Sequence, residues 1–367
     1  MNNINSLSEN DLATLLLCSD MTWDSKIKPY SDSTYSKFAQ ALFKSGYQPS
    51  DLFSMEPSKI LEITQEHKTL FTRVKNLDFS ERIPLLIKRH TQLTIELSEV
   101  EKRGIRVVTR ADKMNYPQKL RLKFKDTGIA IPSVIYYVGD LSLVKSIRAV
   151  AIVGSRELTS DTGAQKFTEI FTQKVSQSGF AISSGGAKGI DHIAEVTSRD
   201  CGSLSFIKVP DNLAKRILEP EVRKSLLDEC SVYLSLTHPN SRFSGYNAMA
   251  RNKIIYALSD YAMVVTCSFV SDAKGKPYPN KRGTWVGAHE CAKFNLSKLL
   301  VRYAGENTPT GNSYFANELH CSVISEDDVY SILNFNEILN KDLKTDDSSK
   351  KSVSEGIQTD LFSACSA

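Results

Sequence analysis

From Ala149 onward, short and nearly continuous apolar runs alternate with amphipathic segments, and no other feature of the 367-residue chain narrows the fold as much. The runs Ala149–Val153, Phe180–Ser183, Leu204–Val209, Val232–Leu236, Tyr261–Thr266 and Leu299–Tyr303 read as strands. Gln165–Ser178, Ile190–Arg199 and Ala288–Phe294 read as helices, the first with Phe167, Ile170, Phe171 and Val175 on one face. A strand that is apolar throughout is buried on both faces. Strands of that kind separated by helices make a mostly parallel sheet covered on both sides. The expectation is a doubly wound, Rossmann-like α/β domain over residues 146–325.

The preceding chain differs. In residues 1–82, Leu12, Leu15 and Leu16 recur at helical spacing behind Ser8, a candidate N-cap. Phe38, Leu42 and Phe43 form a second apolar stripe, and Leu52, Phe53, Ile60 and Leu61 continue it, so a small all-α domain is expected. Residues 83–145 form a connecting region that adds to the α/β domain. It holds a helix over Leu93–Val100, a strand over Ile105–Thr109, a Tyr116-Pro117 turn and a strand over Val134–Val138. Residues 342–367, rich in Lys, Asp and Ser, read as a disordered tail.

In a parallel sheet, ligands gather beyond the carboxyl ends of the strands. The first strand of the domain runs into Gly154-Ser155-Arg156, where a glycine allows close approach and a guanidinium fork suits a phosphate. The second runs into Ser184-Gly185-Gly186-Ala187-Lys188-Gly189, ahead of Asp191 and a helix. Glycines between a strand and a helix leave backbone N–H groups free to face an anion. Asp191 can instead cap the helix. Two such loops at neighbouring strand ends favour phosphate binding over tight turns alone. Arg251, Asn252 and Lys253 precede an apolar run, as a solvated helix face or as cations at the ligand edge. Residues 272–287 interleave Lys274, Lys276, Lys281 and Arg282 with Tyr278, Gly283, Thr284 and Trp285. That pattern fits a nucleic-acid contact, with cations on phosphates and rings on bases, or a surface loop with Trp285 in the core.

The formal net charge of +4 is too small to identify a nucleic-acid partner by itself. Seven cysteines without any CxxC pair argue against a zinc site or a disulfide framework. The six histidines are scattered, and no Ser/His/Asp or Cys/His arrangement occurs, so no catalytic residue, metal or cofactor is expected. The N-terminus lacks a signal-peptide pattern and no apolar run is long enough to span a bilayer. A cytoplasmic protein without a membrane partner is the expectation.

Taken in order, these segments resemble the DNA-processing protein A (DprA/Smf) family. The matching segments are Val153-Gly154-Ser155-Arg156 with Thr159 and Gly163, Gly179 to Asp191, and Arg251-Asn252-Lys253 to Ser259. The lead-in from Gly104 to Asp140 and a SAM-like helical N-terminus match as well, so the resemblance runs from about residue 10 to residue 320. It implies an extended Rossmann fold that binds single-stranded DNA in a basic pocket, hands it to the RecA recombinase during transformation, and forms a homodimer. Gly154, Ser155, Arg156, Gly185, Gly186, Lys188 and Arg251 would line the phosphate path. The sequence departs from the pattern at Glu195, where the family usually has His, and at Lys253, where it usually has Arg. Val209-Pro210-Asp211-Asn212 and Lys281 to Trp285 also replace usual segments.

Two other readings use the same residues. One is a LOG-type (lysine-decarboxylase-like) nucleoside-phosphate N-glycosidase, of which Gly283-Thr284 with Glu290 is a loose echo at the wrong spacing. The other is a nucleotide-binding sensor without turnover. In the tail, Gln358-Thr359-Asp360-Leu361-Phe362 resembles the bacterial sliding-clamp-binding motif, in which two bulky apolar residues of a polar tail enter a partner's pocket.

Overall fold

The computed structural model describes residues 7–20, 27–125, 127–157, 162–269, 283–332 and 334–340. Nine strands form one sheet: β1 (Arg106–Thr109), β2 (Val134–Val138), β3 (Ala149–Val153), β4 (Ala181–Ser184), β5 (Ser205–Val209), β6 (Ser231–Ser235), β7 (Tyr261–Val264), β8 (Lys298–Tyr303) and β9 (Ser322–Ser325). Their order is β1-β2-β6-β5-β4-β3-β7-β8-β9. From β6 to β9 every neighbouring pair is parallel, and β1 and β2 add an antiparallel edge. The chain lays down β3 to β6 in one direction and then returns to place β7 against the other side of β3. The sheet therefore has a switch point between β3 and β7, where a crevice opens beyond the strand ends.

The apolar runs explain the burial. On β3, Ala149, Ala151 and Val153 enter one core while Val150 and Ile152 enter the other. Phe167, Phe171 and Val175 of the helix Thr162–Gln177, with Ile190 and Ala194 of Ile190–Asp200, cover the second face. The helices Gly245–Ala257 and Gly283–Phe294 cover the first. This is the doubly wound, Rossmann-like, mostly parallel arrangement expected. Beyond residue 325 the helix Glu326–Ser331 follows, and Phe335, Ile338 and Leu339 pack beside Phe171 and Phe180.

The N-terminal helices have their own core, in which Phe38 stacks on Phe79 at 4.7 Å and Leu42, Ile60 and Ile63 are buried. Ser8 caps the helix Glu9–Cys18 in a capping box with Asp11. The other oxygen of Asp11 accepts the Thr109 hydroxyl at 2.6 Å, which ties this helix to β1. Leu17 of the helix packs into the helical core, while Leu15 and Leu16 pack on the sheet side. The expected limit at residue 82 falls inside the helix Phe79–Ile87. Three expected core residues are exposed instead: Phe43 at 80%, Phe53 at 37% and Leu61 at 43%. Phe43 and Leu61 each follow a buried neighbour, and one helical step of about 100° turns them outward.

Candidate nucleic-acid interface

The loop after β3 and the loop after β7 meet at the switch point. The Ser155 N–H donates to the Thr266 hydroxyl oxygen at 2.7 Å across that junction. The loop after β4 packs against the same place, with the Ile190 N–H donating to the Ser155 carbonyl at 3.2 Å. This three-way contact sets the need for glycine. A Cβ on Gly154 would lie 2.5 Å from Ile190 Cγ1, and one on Gly185 would lie 1.6 Å from Arg251 Nη1. Gly189 has φ +80, and a Cβ there would lie 2.2 Å from the Ser155 carbonyl oxygen. The glycines admit other parts of the protein, so a ligand is not the only reason for them.

Asp191 occupies the junction itself. It is 7% exposed and accepts the Gly185 N–H at 3.2 Å, with the Gly154 N–H a second backbone donor to its carboxylate. The carboxylate is thus an internal anion between two glycine loops, beside Arg251 and Arg156. Burial pushes its pKa up to about 6, against the pull of Arg251 and the backbone donors. Arg251 is 4% exposed and donates to the Lys208 carbonyl at 3.1 Å. The alternative of a solvated helix face therefore does not hold for it. Lys208 is buried as well, its amine donating to the Ser183 hydroxyl at 2.6 Å, and burial lowers its pKa well below the usual lysine value.

A cavity of about 450 Å³ opens beyond β3 and β7. It brings together Gly154, Ser155 and Arg156 with Arg251 and Asn252, and adds Gly283 and Thr284 from across the switch point. The Thr284 hydroxyl donates to the Gly154 carbonyl at 2.9 Å, and the Asn252 amide donates to the Gly283 carbonyl at 3.2 Å. Ser184, Gly185, Gly186, Lys188, Gly189 and Lys253 stand outside this wall. Ser184 hydrogen-bonds the Asp191 carbonyl at 3.2 Å, and Lys253 pairs with Glu290 at 3.3 Å. That ion pair engages one oxygen of the carboxylate which the glycosidase reading needs. Arg156 and Lys188 are exposed and make no hydrogen bond or ion pair with another described residue.

Trp285 is 8% exposed and belongs to the core, because the helix it sits in begins at Gly283, earlier than the expected Ala288. It stacks on His289 at 5.0 Å. Lys274, Lys276, Tyr278, Lys281 and Arg282 lie outside the described residues, as do Gln358, Asp360, Leu361 and Phe362. Glu195 is 1% exposed and meets Arg199 at 3.1 Å, Arg216 at 3.2 Å and the Tyr233 hydroxyl at 2.9 Å. Thr266 and Phe243 also line the cavity and were missed. The segment Ser241-Arg242-Phe243-Ser244-Gly245-Tyr246 carried a signal, an Arg among two aromatics in a Gly/Ser context. Phe243 and Tyr246 are both exposed.

A doubly wound sheet with a cleft at its switch point defines a Rossmann-like fold. Residues 106–273 match the model of the family described as DNA recombination-mediator protein A. DNA processing protein A from Streptococcus pneumoniae has the same fold. It aligns with a TM-score of 0.59 and 18% identity, over 90% of this chain and 99% of its own. The counterpart from Helicobacter pylori, a structure described by its unique single-stranded DNA binding mode, aligns with a TM-score of 0.48 and 20% identity. That alignment covers 65% of this chain and 96% of the other. No curated protein matches the sequence. Among the described residues no helix is long and apolar enough to cross a membrane.

Proposed function

We propose that this protein binds single-stranded DNA in DNA processing or recombination, with the strand crossing the ends of β3 and β4. The observation that carries this reading is the pair Arg156 and Lys188. Both are exposed, both stand on glycine loops at adjacent strand ends, and neither makes a hydrogen bond or ion pair with another described residue. The N–H groups of Ala187, Lys188 and Gly189 likewise have no acceptor among the described residues. Together they form an outer anion path, while Asp191 holds the inner N–H groups. Phe243 and Tyr246, both exposed, offer faces on which bases stack. The match of residues 106–273 to the model of the DNA recombination-mediator family supports the same partner.

A dT15 oligonucleotide is expected to bind with steep salt dependence. In the Arg156→Ala plus Lys188→Ala protein, affinity falls at least about tenfold. The slope of log K against log salt becomes shallower by about 1.4, from roughly 0.7 per lost phosphate contact on a single strand. Fluorescence anisotropy across a salt series measures both, and an unchanged slope refutes the path.

The finer reading extends the proposal to delivery of the strand to RecA, to a homodimer, and to the division at residues 82, 145 and 325. It also keeps the tail segment Gln358 to Phe362 as a sliding-clamp contact. Leu361→Ala plus Phe362→Ala is expected to abolish capture of purified clamp by the full chain, and undiminished capture rejects that contact.

A further inference from the structure

The cavity beyond β3 and β7 has a chemistry that the outer anion path does not use. At about 450 Å³ it falls in the lower part of the ~300–1,000 Å³ range of small-molecule sites, room for one nucleoside and not for a strand. Its wall includes a carboxylate, Asp191, which is 7% exposed and offers acceptors rather than donors to a ligand. A carboxylate has about four lone-pair positions, and backbone N–H groups of Gly185 and Gly154 take two of them. What remains is acceptor capacity for a ligand's N–H or O–H groups. The same wall holds Arg251 and Asn252, whose side chains carry N–H donors. Apolar side chains, Ile255 and Met249 among them, complete the lining.

We infer that this cavity takes one guanine base turned inward from the strand, with Asp191 accepting its ring and amino N–H groups. Guanine alone among the DNA bases presents two adjacent donors, N1–H and N2–H, to a carboxylate. Its O6 and N7 are acceptors for N–H donors of the same wall, which Arg251 and Asn252 carry. The sugar-phosphate then stays at the mouth, where Arg156 lines the rim and Phe243 is exposed to meet a neighbouring base. This inference rests on the DNA-binding reading and adds base selectivity to it.

The test uses the full chain and four dT15-based oligonucleotides with a single central dT, dG, dI or dA. A bidentate base contact gives about 1–3 kcal/mol of discrimination, so dG is expected to bind at least fivefold more tightly than dT. Inosine keeps N1–H and O6 but lacks the amino group, and its advantage over dT falls to less than half that of dG. dA binds no better than dT. In Asp191→Asn the dG-to-dT ratio collapses toward one, read as a ratio within the same variant so that a general loss of binding cancels. If Asp191→Asn fails to fold, the dG, dI and dT series on the unaltered protein decides alone. Affinities for dG, dI and dT within twofold overturn this inference and leave the outer path standing. Absence of any oligonucleotide binding overturns both.

Discussion

Gly189→Ala is expected to cost about 2–5 kcal/mol of folding stability. At φ +80 and ψ −133 the backbone lies where an L residue is strained by roughly 1–3 kcal/mol. Space adds a second cost. The new methyl would lie 2.2 Å from the Ser155 carbonyl and 2.8 Å from Arg156 Cα, both backbone atoms that cannot rotate away. Overpacking of this kind costs about 1–3 kcal/mol. The comparison is Gly179→Ala, at φ +79 with nothing within 4 Å of the added carbon, which carries backbone strain without collision. Urea unfolding of both variants separates the two terms. Equal losses at the two positions would show that the loops after β3 and β4 are not in the close contact described. Because that contact also sets the spacing of Arg156 and Lys188, oligonucleotide affinity should fall for Gly189→Ala and not for Gly179→Ala.

Glu195→Ala should be comparably damaging, at about 3–5 kcal/mol, the usual cost of removing one partner from a buried ion pair. Its carboxylate is shared by Arg199 at 3.1 Å, Arg216 at 3.2 Å and the Tyr233 hydroxyl at 2.9 Å, and the Glu side chain is 1% exposed. Alanine would remove their shared acceptor, leaving Arg199 with Glu221 at 2.9 Å, Arg216 with Glu219 at 2.7 Å and the buried Tyr233 hydroxyl without its carboxylate. Arg216 matters to the site, because its Nη2 lies 3.9 Å from where a Cβ on Gly186 would stand. Glu195 therefore neutralises a cation beneath the glycine loop. A coupled test is Glu195→Ala combined with Arg216→Met, expected to be less damaging than the sum of the two single changes. Strict additivity in chemical denaturation would mean that the two residues do not act as a pair. The position also explains the departure from the family pattern. A histidine here could not accept from two guanidinium groups at once, so Glu195 belongs with this chain's own Arg199 and Arg216.

Strands were legible where burial on both faces wrote a continuous apolar run, and β2 and β3 coincide with their expected limits at Val134–Val138 and Ala149–Val153. β9 was not legible. Ser-Val-Ile-Ser is a half-exposed edge strand of four residues, too short for a periodic signal. Arg251 shows the same limit in the site. Its sequence context fitted a solvated face or a ligand edge equally, and only packing places it behind Gly185 with its donors turned inward. Asp191 was readable as a helix cap. Its role as the anion between two loops depends on Gly154, 37 positions away, and no local pattern spans that distance.

The sequence by itself determined a mostly parallel sheet with helices on both faces, and glycine loops at the ends of two neighbouring strands. Those properties are local, since side-chain periodicity and backbone freedom are expressed within a few residues. The strand order was decided in three dimensions. Placing β7 beside β3 joins residues more than a hundred positions apart, Val150 with Tyr261 and Ser155 with Thr266. That pairing creates the cavity, turns Asp191 into its floor, and leaves Arg156 and Lys188 as the cations that face outward.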